Sequence, residues 1–171
     1  MSRPHQDVPA ATTPAASRAS SLVPDEQRHD PCREAGKLRE PTVCPDCRAV
    51  FKGGRWQWSD ALPTANPHRC PACRRIREHL PAGLVTLSGA FPNAHRDEVM
   101  ACVRRICDRA YVEHPLERVM QIDEDDAEIR VATTSAHLAR AIGRALHEAW
   151  DGQLALDPEA EGMPRVTWHR P

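Results

Sequence analysis

The chain has 171 residues with 23 Lys and Arg against 24 Asp and Glu, a balance that excludes both a uniformly basic nucleic-acid glove and an acidic tail protein. Its 40% hydrophobic content can build a core, but 4% aromatics and 16 prolines leave part of the length without packing partners. No run of about 18 apolar residues is present and residues 1–20 lack an apolar signal centre, so the sequence predicts no membrane span, a cytoplasmic location and cysteines kept as thiols or metal ligands.

Residues 1–40 read as a disordered arm. Ala, Pro, Ser and Thr dominate Val8 to Pro24, and charges balance at six against six. Leu22, Val23 and Leu38 are too few to bury anything, and Cys32 reads as a free thiol without a special role.

The character changes over residues 41–80, where seven cations face three acids. Cys44-Pro45-Asp46-Cys47 and Cys70-Pro71-Ala72-Cys73 form two C-x-x-C pairs separated by 22 residues, which suits a zinc ribbon and lies just beyond the usual spacing window. Each pair on a tight turn aims two thiolates at one point, and two such turns complete a tetrahedron of sulfurs about 2.3 Å from the ion. A β-hairpin is predicted between them, with Ala49-Val50-Phe51 and Arg55-Trp56-Gln57-Trp58 flanking Lys52-Gly53-Gly54. Four thiolates leave no open coordination position, so the expected Zn2+ is single and structural. So small a module needs the metal to fold. A redox C-x-x-C pair is the competing reading, but it leaves the duplication unexplained. His68 and His79 lie near enough in sequence to replace a cysteine, or to be plain surface residues.

Arg48, Lys52, Arg55, Arg69, Arg74, Arg75 and Arg77, with Trp56, place cations and an aromatic face on this module. Phosphates take the former and unstacked bases the latter, so these residues are the candidate RNA contacts. A basic face docking an acidic protein, or the rest of the chain, explains the same residues. Trp56 and Trp58 alternate onto one face of their strand, where one of them can be buried.

Residues 81–171 carry ten bases against fifteen acids. Gly83 to Ala90 is a strand candidate. Asn93 is placed to cap a helix, and Val99, Cys102, Val103, Ile106, Cys107 and Ala110 recur at helical spacing to about Glu113. Leu116 to Ile122 and Glu128 to Thr133 alternate as strands around an acidic turn. Thr134 or Ser135 caps a second helix carrying Leu138, Ile142, Ala145, Leu146 and Ala149. Arg165 to Trp168 closes the sheet, while Gln153 to Gly162 is either an added strand or a loop. The order is that of a ferredoxin-like βαββαβ domain, two helices on one face of a four-stranded antiparallel sheet. The whole is an α+β chain of arm, zinc ribbon and ferredoxin-like domain.

No phosphate-binding loop, nucleophile elbow, H-E-x-x-H or dinucleotide fingerprint occurs, so no enzyme is predicted. The turn Asp123 to Asp126 lacks EF-hand spacing. His95, His114 and His137 are read as local, and Cys102 and Cys107 as core thiols.

The runs CPDCRAVFKGGRWQW, CPACRRIREHLPAGLVTLSGAF, HPLERVMQI, TTSAHLARAIGRAL and RVTW, within roughly residues 41–170, resemble a family of short bacterial proteins. The cysteine-knuckle part of that family is related to the zinc-binding N-terminal region of nonsense-mediated-decay protein three, an adaptor for large-ribosomal-subunit export. The resemblance implies zinc ligation by Cys44, Cys47, Cys70 and Cys73. It also implies a non-enzymatic RNA- or ribosome-associated role touching ribosome stability or messenger decay. The adaptor has domains this chain lacks, so export is not implied. HPLERVM and TTSAHLA match the family with no role implied beyond the fold.

Overall fold

The computed structural model describes residues 32, 34, 36–61, 63–125, 127–157 and 163–171, an α+β chain with two sheets and four helices among them. Leu22 and Val23, like most of the expected arm, lie outside the described residues.

The smaller sheet holds β1 (Thr42–Val43), β2 (Val50–Lys52), β3 (Arg55–Gln57) and β4 (Asn66–Pro67) in the order β3-β2-β1-β4. The hairpin forms as the sequence predicts. Gly53 and Gly54 both have positive φ, at 64° and 75°, the conformation a two-residue turn between right-twisted strands requires. Their N–H groups donate to the Glu40 carboxylate at 2.7 and 3.0 Å, tying the chain before β1 to the hairpin tip. Helix α1 (Pro71–Glu78) follows; Cys70 caps it and Pro71 opens it.

Besides Glu40, other described residues of the expected arm are held in the structure. Cys32 is fully buried, Glu34 pairs with His68 and Arg74, and Leu38 lies against the ribbon core of Cys44, Ala49, Trp56, Cys70, Ala72 and Cys73. An apolar side chain needs only one complementary surface to be buried, and the ribbon supplies it.

The second module comprises β5 (Gly83–Ser88), α2 (Ala90–Ala94), α3 (Arg96–Glu113), β6 (Val119–Glu124), β7 (Glu128–Thr133), α4 (Ala136–Trp150), β8 (Gln153–Asp157) and β9 (Arg165–His169). Val85 and Leu87, Ile129 and Val131, and Val166 and Trp168 point from β5, β7 and β9 to one face, as period-2 side chains do. They meet Val99, Met100, Cys102 and Val103 of α3 and Leu138, Ile142 and Leu146 of α4. At Gly143 α4 approaches so closely that an added Cβ would lie 2.4 Å from Val166 Cγ1.

Two local expectations are corrected. Asn93 does not cap the long helix but lies inside the one-turn α2, whose first turn accommodates Pro92. The strand predicted from Leu116 begins instead at Val119, because Glu117 N–H closes a turn on His114 O and the Thr134 hydroxyl and backbone take up Leu116 O and the Arg118 backbone. The topology of the larger sheet also differs from the expected one. The expected four-stranded antiparallel sheet has five strands, ordered β6-β7-β5-β9-β8. Residues 153–157 form a strand, which turns back so that β9 enters beside β5 and parallel to it, leaving β8 at the edge. Among the described residues no helix is long and apolar enough to cross a membrane.

Candidate metal centre

The first cysteine pair lies between β1 and β2. Arg48 adopts φ 69°, Arg48 N–H donates to Cys44 O at 3.0 Å, and Cys44 N–H donates to Ala49 O at 2.8 Å, closing a tight turn with both cysteines on its inner side. The second pair is the start of α1, where Cys70 Sγ accepts from Cys73 N–H at 3.5 Å in place of the usual capping hydroxyl. Cys70 N–H donates to Cys44 Sγ at 3.4 Å, joining the two turns.

The four sulfurs of Cys44, Cys47, Cys70 and Cys73 all lie within 4.8 Å of one another, and three of the residues are buried. Cys47 Sγ and Cys70 Sγ stand 3.7 Å apart. Two sulfurs bound at about 2.3 Å with a tetrahedral angle between them are separated by about 3.8 Å, so the donor set fits one four-coordinate, thiophilic ion. The cluster can therefore hold a metal ion. His68 is turned to Glu34, Nε2 to carboxylate at 3.1 Å, and His79 ends α1 in the left-handed conformation; neither belongs to the cluster.

The thiols differ in their environments. The hydrogen bond from Cys70 draws the Cys47 thiol down to about 4, and the Cys70 thiol that shares this proton is pushed up. Burial pushes the Cys73 thiol up to about 11. A thiophilic ion replaces all these protons.

One residue beside the sulfurs escaped the sequence reading. Arg118 Nη1 lies 3.3 Å from Cys73 Sγ and Nη2 3.9 Å from Cys70 Sγ. Burial opposes the charge of this guanidinium, but the Cys47 and Cys73 sulfurs more than offset it, and the group is held firmly protonated.

The predicted nucleic-acid residues separate into two groups. Arg48, Lys52, Arg55 and Arg77 are exposed and, among the described residues, take part in no ion pair. Lys52 and Arg55 face each other directly across the hairpin. The other four are engaged inside the molecule. Arg69 pairs with Asp46, holding that carboxyl below its usual range, and Arg74 reaches Glu34 at 3.4 Å. Arg75 is only 6% exposed and donates to Leu80 O, and Trp56 is 9% exposed with its ring edge-on to Phe51. Trp56 therefore offers no free face to a base; the mini-core of so small a sheet takes the largest ring available.

Between the two modules lies a cleft of about 680 Å³ lined by Arg55, Arg75, Glu117, His137 and Arg140 among others. His137 Nδ1 is 3.0 Å from Glu117, and His95 stacks on Phe91. No family model, curated protein or solved structure matches this chain.

Proposed function

We propose that the protein is a non-enzymatic RNA-binding protein, stabilised by one zinc ion at Cys44, Cys47, Cys70 and Cys73, that associates with ribosomal or messenger RNA. The ferredoxin-like order of its second module, with one hairpin strand added, gives the ribbon a rigid mount. The observation that carries this reading is the Lys52–Arg55 pair at the hairpin tip. Like charges directly opposite on neighbouring strands repel, and a phosphate between them relieves that repulsion. Arg48 and Arg77 are exposed as well. The resemblance to the bacterial knuckle family supports the same reading and suggests ribosome stability or messenger decay as its setting. A closed four-sulfur centre has no position for substrate, which favours binding over catalysis.

The test is binding of the full chain to mixed single-stranded cellular RNA at low and moderate salt. The double change Lys52→Glu with Arg55→Glu should weaken binding at least tenfold and flatten its salt dependence, each lost phosphate contact removing about 0.7 from the logarithmic slope. Zinc content should be unchanged, since neither side chain touches a sulfur. RNA that does not bind the wild type at either salt would overturn the proposal. The cations would then serve an acidic protein partner.

A further inference from the structure

HPLERVM and TTSAHLA lie 19 residues apart in sequence, counted from His114 to Thr133, yet they meet in space. Arg118 N–H donates to Thr134 Oγ1 at 2.8 Å, and Thr134 N–H returns to Arg118 O at 2.9 Å. The Thr134 hydroxyl donates to Leu116 O at 2.6 Å, and Glu117 holds His137. The backbone of residues 116–118 is thus fixed to the start of α4, in the second module, and is not a loose connection.

From this fixed base the Arg118 side chain crosses to the ribbon. Its Nε donates to Pro115 O at 2.7 Å, which orients the fork, and its two Nη groups point at Cys73 and Cys70. The guanidinium carbon lies 5.9 Å from the centre of the Trp58 ring and 5.7 Å from that of Tyr111. Trp58 comes from the ribbon and Tyr111 from α3; the rings are 5.0 Å apart, and Trp58 Nε1 donates to Tyr111 O at 2.6 Å. Leu116 adds an apolar contact to the ribbon core.

We propose that Arg118 makes the four-cysteine centre a clasp between the two modules, so that metal occupancy decides whether ribbon and sheet module are held together. Four thiolates around a divalent ion form a doubly anionic centre. A half-buried guanidinium donating to two of the sulfurs offsets one of those charges and fixes the orientation of the ligands it touches. When the ion leaves, the sulfurs that the fork grips are no longer fixed to one another, and the guanidinium loses its oriented acceptors. The aromatic pair, its hydrogen bond and Leu116 are then left to bridge the modules. This inference rests on the reading of the cysteines as one metal site.

The experiment uses the full chain loaded with zinc, a competing chelator to measure affinity, and nitrogen-15 spectra following the Trp58 indole N–H and the Thr134 amide. Removing zinc from the wild type should move both signals, although Thr134 touches no sulfur. Arg118→Met should bind zinc about 10–100-fold more weakly, in the range seen when a partner of metal ligands is lost. Its Thr134 amide should no longer respond to the metal. Arg118→Lys should recover part of the affinity, keeping the charge but not the fork. Should Arg118→Met fail to fold, Tyr111→Leu removes one wall of the guanidinium's slot without touching a sulfur and should still weaken zinc binding several-fold. A wild-type Thr134 signal indifferent to zinc, or an Arg118→Met affinity within twofold of wild type, would overturn the clasp. A wild type that takes up no zinc would overturn the clasp together with the metal reading beneath it.

Discussion

Cys107 lies half-buried on α3 beside Asp108, and burial, with that carboxylate adding to it, pushes its thiol up to about 11. The folded chain therefore keeps this proton where an unfolded chain, with an ordinary thiol near 9, gives it up. The unfolded state binds fewer protons in that window, so stability falls as pH climbs from about 9 to about 11. Cys107→Ser should abolish this part of the alkaline loss. Denaturant midpoints of both chains at pH 8.5 and 10.5 check it; an equal decline in the two would remove Cys107 as the cause. What was legible at this scale was local. Two C-x-x-C pairs announce a four-sulfur cluster because the turn that aims each pair is built from neighbouring residues. Arg118 was not legible, because it reaches Cys73 across 45 residues and a single arginine carries no spacing signal. Alternation placed Trp56 and Trp58 on one face. That Trp56 fills the mini-core while Trp58 meets Tyr111 depends on a module elsewhere in the chain.

Elements with strong periodicity formed where the pattern put them. β7 spans Glu128–Thr133 as predicted, and Ser135 caps α4 by accepting from the His137 and Leu138 N–H groups. Weak elements were displaced by what surrounds them, as when β6 lost residues 116–118 to a turn and to Thr134 at the start of α4. Helix α4 offers a test in which two effects oppose each other. Gly143→Ala should stabilise an isolated helix by about 1 kcal/mol. Here the new methyl would stand 2.4 Å from Val166 Cγ1 and 3.0 Å from Leu154 Cδ1, on a sheet that is fully paired at β9. Overpacking of this kind costs about 1–3 kcal/mol, so the net change should be destabilising. A thermal melt with a raised midpoint would show that α4 can lift off the sheet without cost.

At the scale of the whole molecule, the sequence conveyed the class of each module but not the path of the last two strands. Hairpins and crossovers are read from the chain in order, whereas β9 takes a place beside β5, far back in that order. Trp168 and Val166 on β9 are buried in the core, and burial of one tryptophan of this kind is worth about 3–5 kcal/mol. A chain ending at Pro164 should therefore lose its cooperative unfolding transition, because domain stabilities are only about 5–15 kcal/mol. A shortened chain that melts cooperatively at the full-length midpoint would refute this.

The position of β9 also has a consequence for synthesis. While the chain is being made on a ribosome, β5 can pair with β7 along one side, but its other side stays open until residues 165–169 have emerged. An open edge of six residues with Val85 and Leu87 beneath it is a template for any extended strand nearby. The nascent chain therefore has a vulnerable interval, ended by its own last strand, in which a chaperone or a neighbouring copy competes for that edge.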